Sequence, residues 1–180
     1  MKNFLFLCGP KGIGKTTICK SILNQLPGSA YVDSDDCRMM NPFNLDDGTI
    51  PTIAKNISGL IGNYLECNAV QTVIFSYGFH GRRKEVFDRA VRSLPMHELR
   101  FVPFALICSV EENLRRMKAD GRDVDRMERA LKTAREAYGD IEYPQIDVTD
   151  LSAEEAAMRI IDLAGLRTFP DPAFTKGVLT

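Results

Sequence analysis

Gly9-Pro10-Lys11-Gly12-Ile13-Gly14-Lys15-Thr16 is the stretch that decides the fold. It satisfies G-x-x-x-x-G-K-[ST] at every fixed position. Each residue type has its own physical reason. Glycines let the backbone curl so that several N–H groups point inward at phosphate oxygens. A helix beginning near Lys15 adds its positive end. Lys15 reaches the β- and γ-phosphates as a mobile charge, and the Thr16 hydroxyl is placed to ligate Mg²⁺. The expected nucleotide-binding set is Gly9, Pro10, Lys11, Gly12, Ile13, Gly14, Lys15, Thr16 and Thr17, with ATP and Mg²⁺ as cofactors. A glycine-rich turn capping an ordinary helix is the bland alternative. The context argues against it, because the motif lies between an apolar strand and an amphipathic helix.

Working outward, Phe4 to Cys8 is a continuous apolar run, as expected of a parallel strand covered on both faces. Lys15 to Leu26 repeats Ile18, Ile22 and Leu26 on one helical face and stops at Pro27-Gly28. Ala30 to Val32 is a short strand ending at aspartates. Asn41 to Pro51 is a polar loop, and Thr52 to Cys67 a helix. Val70 to Phe75 is a strand and Gly81 to Leu94 a helix. Leu99 to Val110 is a long strand whose early part is expected to be irregular, since Pro103 cannot donate to a ladder. Glu111 to Ala119 and Asp123 to Tyr138 are charged helices separated at Asp120-Gly121. Ile146 to Val148 is a last strand. Ser152 to Leu163 is a final helix with Ser152 and Glu155 in a capping box. Alternating strands and helices imply βαβ units and a parallel sheet.

The chain has 180 residues, enough for one domain with a full core. Lys plus Arg is 23 and Asp plus Glu is 24, a net charge of -1, so no basic excess points to a nucleic-acid partner. The cysteines Cys8, Cys19, Cys37, Cys67 and Cys108 form no C-x-x-C pair, and Cys8 and Cys108 lie in apolar runs. A reduced, cytoplasmic protein is expected. The apolar start is too short to span a membrane, so no membrane partner is expected. A monomer or homodimer is open.

Strand two runs into Val32-Asp33-Ser34-Asp35-Asp36. Ligands of open parallel sheets sit beyond the strands' carboxyl ends, so these carboxylates are expected beside the glycine loop. The loop, the Asp-x-Asp and a late arginine-bearing segment together resemble the small P-loop kinases: shikimate kinase, gluconate kinase and the nucleoside monophosphate kinases. The resemblance covers roughly residues 3 to 163. It implies a P-loop NTPase three-layer α/β/α fold, with a five-stranded parallel sheet of order 2-3-1-4-5, flanking helices and a helical lid over about 111–138. It makes Asp33 the metal-side carboxylate with Thr16, and Asp35 the candidate base. Where many relatives carry a strand-three aspartate, this chain has Ser76. Gly78-Phe79 is similar to the acceptor loop of adenylate kinase, but the phosphate-binding arginine does not align; Arg82 and Arg83 follow closely.

Phosphoryl transfer needs cations over the γ-phosphate. Arg115, Arg116, Lys118, Arg122 and Arg126 lie where relatives carry the lid. Arg122, after a hinge at Gly121, is expected to reach the phosphates as a catalytic residue beside Lys15 and Asp35. Arg115 or Arg116 is expected to stack on adenine. A solvated helix face is the alternative for the lid arginines. The loop Asp147 to Asp150 is expected near the base. Asp35, Asp36, Arg38, Gly78 and His80 are the acceptor-binding candidates, with Asn41, Asp46 and Asp47 less fixed; His97 is expected to be surface structure. The expected function is ATP-dependent transfer of the γ-phosphate to a hydroxyl or phosphate of a small metabolite. A nucleotide-binding ATPase or sensor module without a metabolite acceptor is the alternative. A polynucleotide-end kinase is disfavoured by the near-neutral charge. The expected domain is 1–180, with a C-terminal tail over 165–180.

Overall fold

The computed structural model of the chain describes residues 1–138 and 141–166, and for Arg126 and residues 133–136 the backbone alone. Five strands alternate with helices: β1 (Lys2–Cys8), α1 (Lys15–Gln25), β2 (Ser29–Asp33), α2 (Ile50–Glu66), β3 (Thr72–Tyr77), α3 (Arg83–Arg92), β4 (Leu99–Ile107), α4 (Val110–Ala119), α5 (Val124–Tyr138), β5 (Gln145–Asp147) and α6 (Ala153–Leu163). The order is β2-β3-β1-β4-β5 and every pairing is parallel, as the sequence led us to expect. The chain therefore leaves β1 toward the β2 edge, returns to β3 and crosses over β1 to β4, so the connections after β1 and β3 leave on opposite sides. That makes the carboxyl end of β1 a switch point where a crevice opens.

The apolar run of β1 follows from its central position. Phe4, Phe6 and Cys8 face one layer, Leu5 and Leu7 the other, and all are fully buried. The first layer is aromatic: Phe6 packs on Phe87 of α3 with ring centroids 4.6 Å apart, and Phe75 and Phe101 lie beside them. The second is aliphatic, with Ile18 and Ile22 of α1 and Ile160 and Ile161 of α6. Burying one such side chain is worth about 1.5–3 kcal/mol. This core holds the five strand ends in register, and those ends carry the site.

Two local expectations change. The early part of β4 is regular, not irregular, through Pro103, which registers with Phe6. Ala105 N donates to Pro144 O, on the β5 side. Period two puts the Pro103 nitrogen on that same side, before β5 begins at the Ala105–Gln145 pair. No ladder bond is lost, so proline is tolerated there. Val110 belongs to α4, not to the strand: Ser109 caps the helix, its hydroxyl accepting from Glu112 N at 3.1 Å. The expected capping box of α6 is present, with Ser152 and Glu155 bonded reciprocally. Of the expected tail, Gly165 and Leu166 close α6, and 167–180 lies outside the described residues.

Candidate functional site

The loop between β1 and α1 borders a cleft of about 1410 Å³ at the carboxyl end of the sheet. Gly14 occupies the N-cap of α1 at φ 98, a left-handed conformation, and supplies no side-chain cap. The first turn of α1 contains no acidic residue. That N-terminal turn lines the cleft and carries no carboxylate of its own, the arrangement that binds phosphate. Lys15 Nζ donates to Gly9 O at 2.9 Å and Pro10 O at 2.8 Å, which folds the side chain back over the loop. Burial lowers its pKa to about 8, against the opposing pull of Cys8, Cys19 and Asp35. Burial in turn pushes the Cys8 and Cys19 thiols up to about 12, so both act as apolar packing.

The strand-two aspartates divide. Asp33 Oδ2 accepts from Thr16 Oγ1 at 3.2 Å and from the Tyr31 hydroxyl at 3.0 Å, and its Oδ1 accepts from Asp35 N at 2.9 Å. Asp35 pairs with Arg38, whose guanidinium lies 5.5 Å from the Phe43 ring centroid. Asp33, Asp35 and Arg38 all line the cleft. Asp36 does not; it is exposed on a single 3₁₀ turn. Thr16 Oγ1 and the Asp33 carboxylate are a hard-oxygen pair of the kind Mg²⁺ takes beside phosphates and water. Among the described residues no group of three His, Cys, Asp or Glu is placed to hold a metal ion.

Beside the strand-two aspartates, β3 ends in Ser76 and Tyr77, with Gly78 and His80 just beyond, all lining the cleft. His80 is half-buried. Burial and the cations of Arg83, Lys11, Lys15 and Arg38 lower its pKa to about 3, so it is neutral near pH 7. The adjacent arginines separate. Arg82 points outward to Asp47 and Glu85, and Arg83 lines the cleft. Burial, then Arg38, lowers the Arg83 pKa, and Tyr77 and Asp35 oppose them. Tyr138, at the end of α5, reaches back here: Phe79 N donates to its hydroxyl at 2.9 Å.

The arginines of α4 and the turn after it differ in what they hold. Arg116 donates to Glu112 at 2.7 Å, Ile13 O at 2.9 Å and Val148 O at 2.7 Å, tying the glycine loop to the segment after β5. Arg115 is exposed and paired with Glu112. Hydrogen bonds from Arg115 and Arg116 hold the Glu112 carboxyl down at about 2. Arg122 follows Gly121, lines the cleft and pairs with Asp120 at 3.4 Å. Lys118 is exposed and does not line the cleft; the Arg126 side chain lies outside the described residues. The loop after β5 runs beside Arg116, with Thr149 Oγ1 accepting from Ser109 N at 2.9 Å.

No protein-family model matches the chain, and no curated protein matches it in sequence. Solved structures do. The tunicamycin resistance protein of Deinococcus radiodurans superposes with a TM-score of 0.71 at 21% identity, covering 94% of this chain and 99% of that one. A sugar kinase from Janibacter matches at 0.63 and 16%, covering 92% and 96%. The APS kinase of Mycobacterium tuberculosis, solved with AMPPNP and APS, matches at 0.58 and 15%, covering 91% and 98%. The fold is that of the P-loop kinases. At these identities the likeness is one of architecture, and each site residue stands on the geometry above.

Sequence reasoning passed over Tyr31 and Tyr138 of this P-loop kinase fold, and noted Arg82 and Arg83 without separating them. Tyr31 shares a β2 face with Asp33, which the period of two already implies. Tyr138 had no local signal, and nothing local told Arg83 from Arg82, because their neighbours in the cleft come from other elements.

Proposed function

We propose that the chain is an ATP-dependent phosphotransferase that moves the γ-phosphate to a hydroxyl, or a phosphate, of a small metabolite. The observation that carries this reading is one cleft lined by both halves of such a reaction. Lys11, Lys15, Thr16, Asp33 and Arg122, suited to the triphosphate, line it together with Asp35, Arg38, His80 and Arg83, suited to an acceptor. The loop amides, Lys15 and Arg122 hold the triphosphate and take up charge that develops on the γ-phosphoryl oxygens. Bound through Thr16 and Asp33, Mg²⁺ would neutralise the β- and γ-phosphates. Asp35 accepts the acceptor's hydroxyl proton as that oxygen bonds to the γ-phosphorus and the bond to the bridging oxygen of ADP breaks. Arg116 and the Val148–Thr149 backbone form the base side. Arg38 and Arg83 make the acceptor end cationic, which favours an acceptor with an anionic or strongly polar group. The free cysteines suit the cytoplasm.

The test is acceptor-dependent ADP release across sugar acids, nucleosides, nucleoside monophosphates, APS and tunicamycin. One acceptor should raise ADP release at least tenfold over the basal rate. Uniform release with no acceptor effect would replace this reading with that of an ATPase or sensor. The Asp35–Arg38 pair is the feature that favours that second reading, because it leaves the carboxylate occupied.

A further inference from the structure

The metal side of the cleft contains a hydrogen-bonded chain in which the proposed reaction gives no role to Tyr31 or Ser76. Tyr31 Oη lies 3.0 Å from Asp33 Oδ2 and 2.9 Å from Ser76 Oγ. A carboxylate accepts at both oxygens, so the phenol donates to Asp33. A phenol has one proton. With that proton committed, the Tyr31 oxygen accepts from Ser76. Ser76 is 4% exposed and sits on β3 directly beside Asp33 in the ladder. Its proton is therefore spent inward, away from any water in the cleft.

The direction of these bonds has a consequence for Thr16. Thr16 donates its proton to the same Asp33 oxygen at 3.2 Å, which turns the lone pairs of its hydroxyl away from the carboxylate. A metal ligand must offer lone pairs. Asp33 can orient Thr16 only if its own carboxylate is fixed. Asp35 N fixes Oδ1, and Tyr31 is what fixes Oδ2 from the sheet side.

We propose that Tyr31 is the positioning residue of the metal side: anchored on Ser76, it locks Asp33 so that Thr16 presents its oxygen to a divalent cation carried by the nucleotide. The proposal rests on the nucleotide-binding half of the phosphotransferase reading. It assigns to a strand-two phenol and a strand-three serine a task that neither performs by touching the metal.

The test is calorimetric binding of AMPPNP, once with Mg²⁺ and once with EDTA, to the wild type and to Tyr31→Phe and Ser76→Ala. The quantity read is the ratio of the two affinities, which a packing role for the Tyr31 ring would leave unchanged because phenylalanine keeps the ring. Outer-shell partners of metal ligands are typically worth about 10–100-fold in metal affinity. Tyr31→Phe should cut the Mg²⁺-dependent ratio about tenfold, and Ser76→Ala should cut it less, because the Tyr31–Asp33 bond survives. A Tyr31→Phe ratio equal to that of the wild type overturns the proposal. If Tyr31→Phe does not fold, Ser76→Ala decides in the same way. A wild type with no Mg²⁺ increment refutes the metal side altogether. A wild type with a full increment but no acceptor-dependent ADP release removes the phosphotransferase reading and leaves Tyr31 standing.

Discussion

Binding of ATP should draw a proton onto Lys15, and the amount is set by the fold. Burial of the Lys15 ammonium beneath the glycine loop lowers its pKa to about 8, against an ordinary value of 10.5. At pH 8 the free protein therefore has about half of its Lys15 unprotonated, at pH 7 about 0.1 and at pH 9 about 0.9. A triphosphate beside the amine favours the charged form and returns the pKa above that range. Uptake on binding should thus rise from about 0.1 proton at pH 7 to about 0.5 at pH 8 and about 0.9 at pH 9. His80 is silent over this range at about 3, and arginines do not titrate. Lys11 is the competing source, since burial and the nearby arginines lower its pKa too. Calorimetry of Mg-ATP binding in buffers of different ionisation enthalpy measures the uptake directly. Lys11→Arg should retain it, and Lys15→Arg, which cannot lose its proton, should abolish it. Heats independent of buffer at pH 8 and 9, or uptake lost in Lys11→Arg and kept in Lys15→Arg, would refute the reasoning.

Gly12→Ala should cost about 2–4 kcal/mol in urea unfolding, from a left-handed non-glycine residue and an overpacked contact. Gly12 has φ 80, and an added Cβ would lie 2.3 Å from Cγ of the fully buried Met117; an unchanged unfolding midpoint would contradict this. Asp35→Asn should lower turnover on an identified acceptor by about 10²–10⁴ while AMPPNP affinity holds, and surviving turnover would remove Asp35 as base. His80 should make stability fall in acid. Its folded pKa is about 3, below the ordinary 6.5, so the unfolded chain binds more protons between those values. The stability is present above about pH 6.5 and is lost as pH falls toward 3. Unfolding midpoints of the wild type should drop relative to His80→Gln as pH is lowered from about 6.5, and parallel curves would dismiss the effect.

The sequence legibly marked the elements where its signals are local. The glycine loop, the period-four stripe of α1 and the Ser152 capping box each need only neighbouring residues, and each stands where expected. Boundaries failed where a distant partner decides them. Pro103 is tolerated in β4 because the strand's partner on that side, β5, is short, and that length is not written near Pro103. Val110 continued an apolar run, and Ser109 had no periodicity to mark it as a cap.

By itself the sequence determined the parallel α/β architecture, the glycine loop between β1 and α1 and the approach of the strand-two aspartates to it. These follow from backbone conformation and from apolar spacing, which act over a few residues. Tertiary structure alone decided that Arg83 rather than Arg82 enters the cleft. It also decided that Arg116 is spent on Ile13 and Val148, and that Ser76 serves Asp33 through Tyr31. Those choices depend on which side chains meet across 103, 32 and 45 positions of chain. Such meetings are fixed by strand register and helix packing, because a hydrogen bond is made or lost within an ångström.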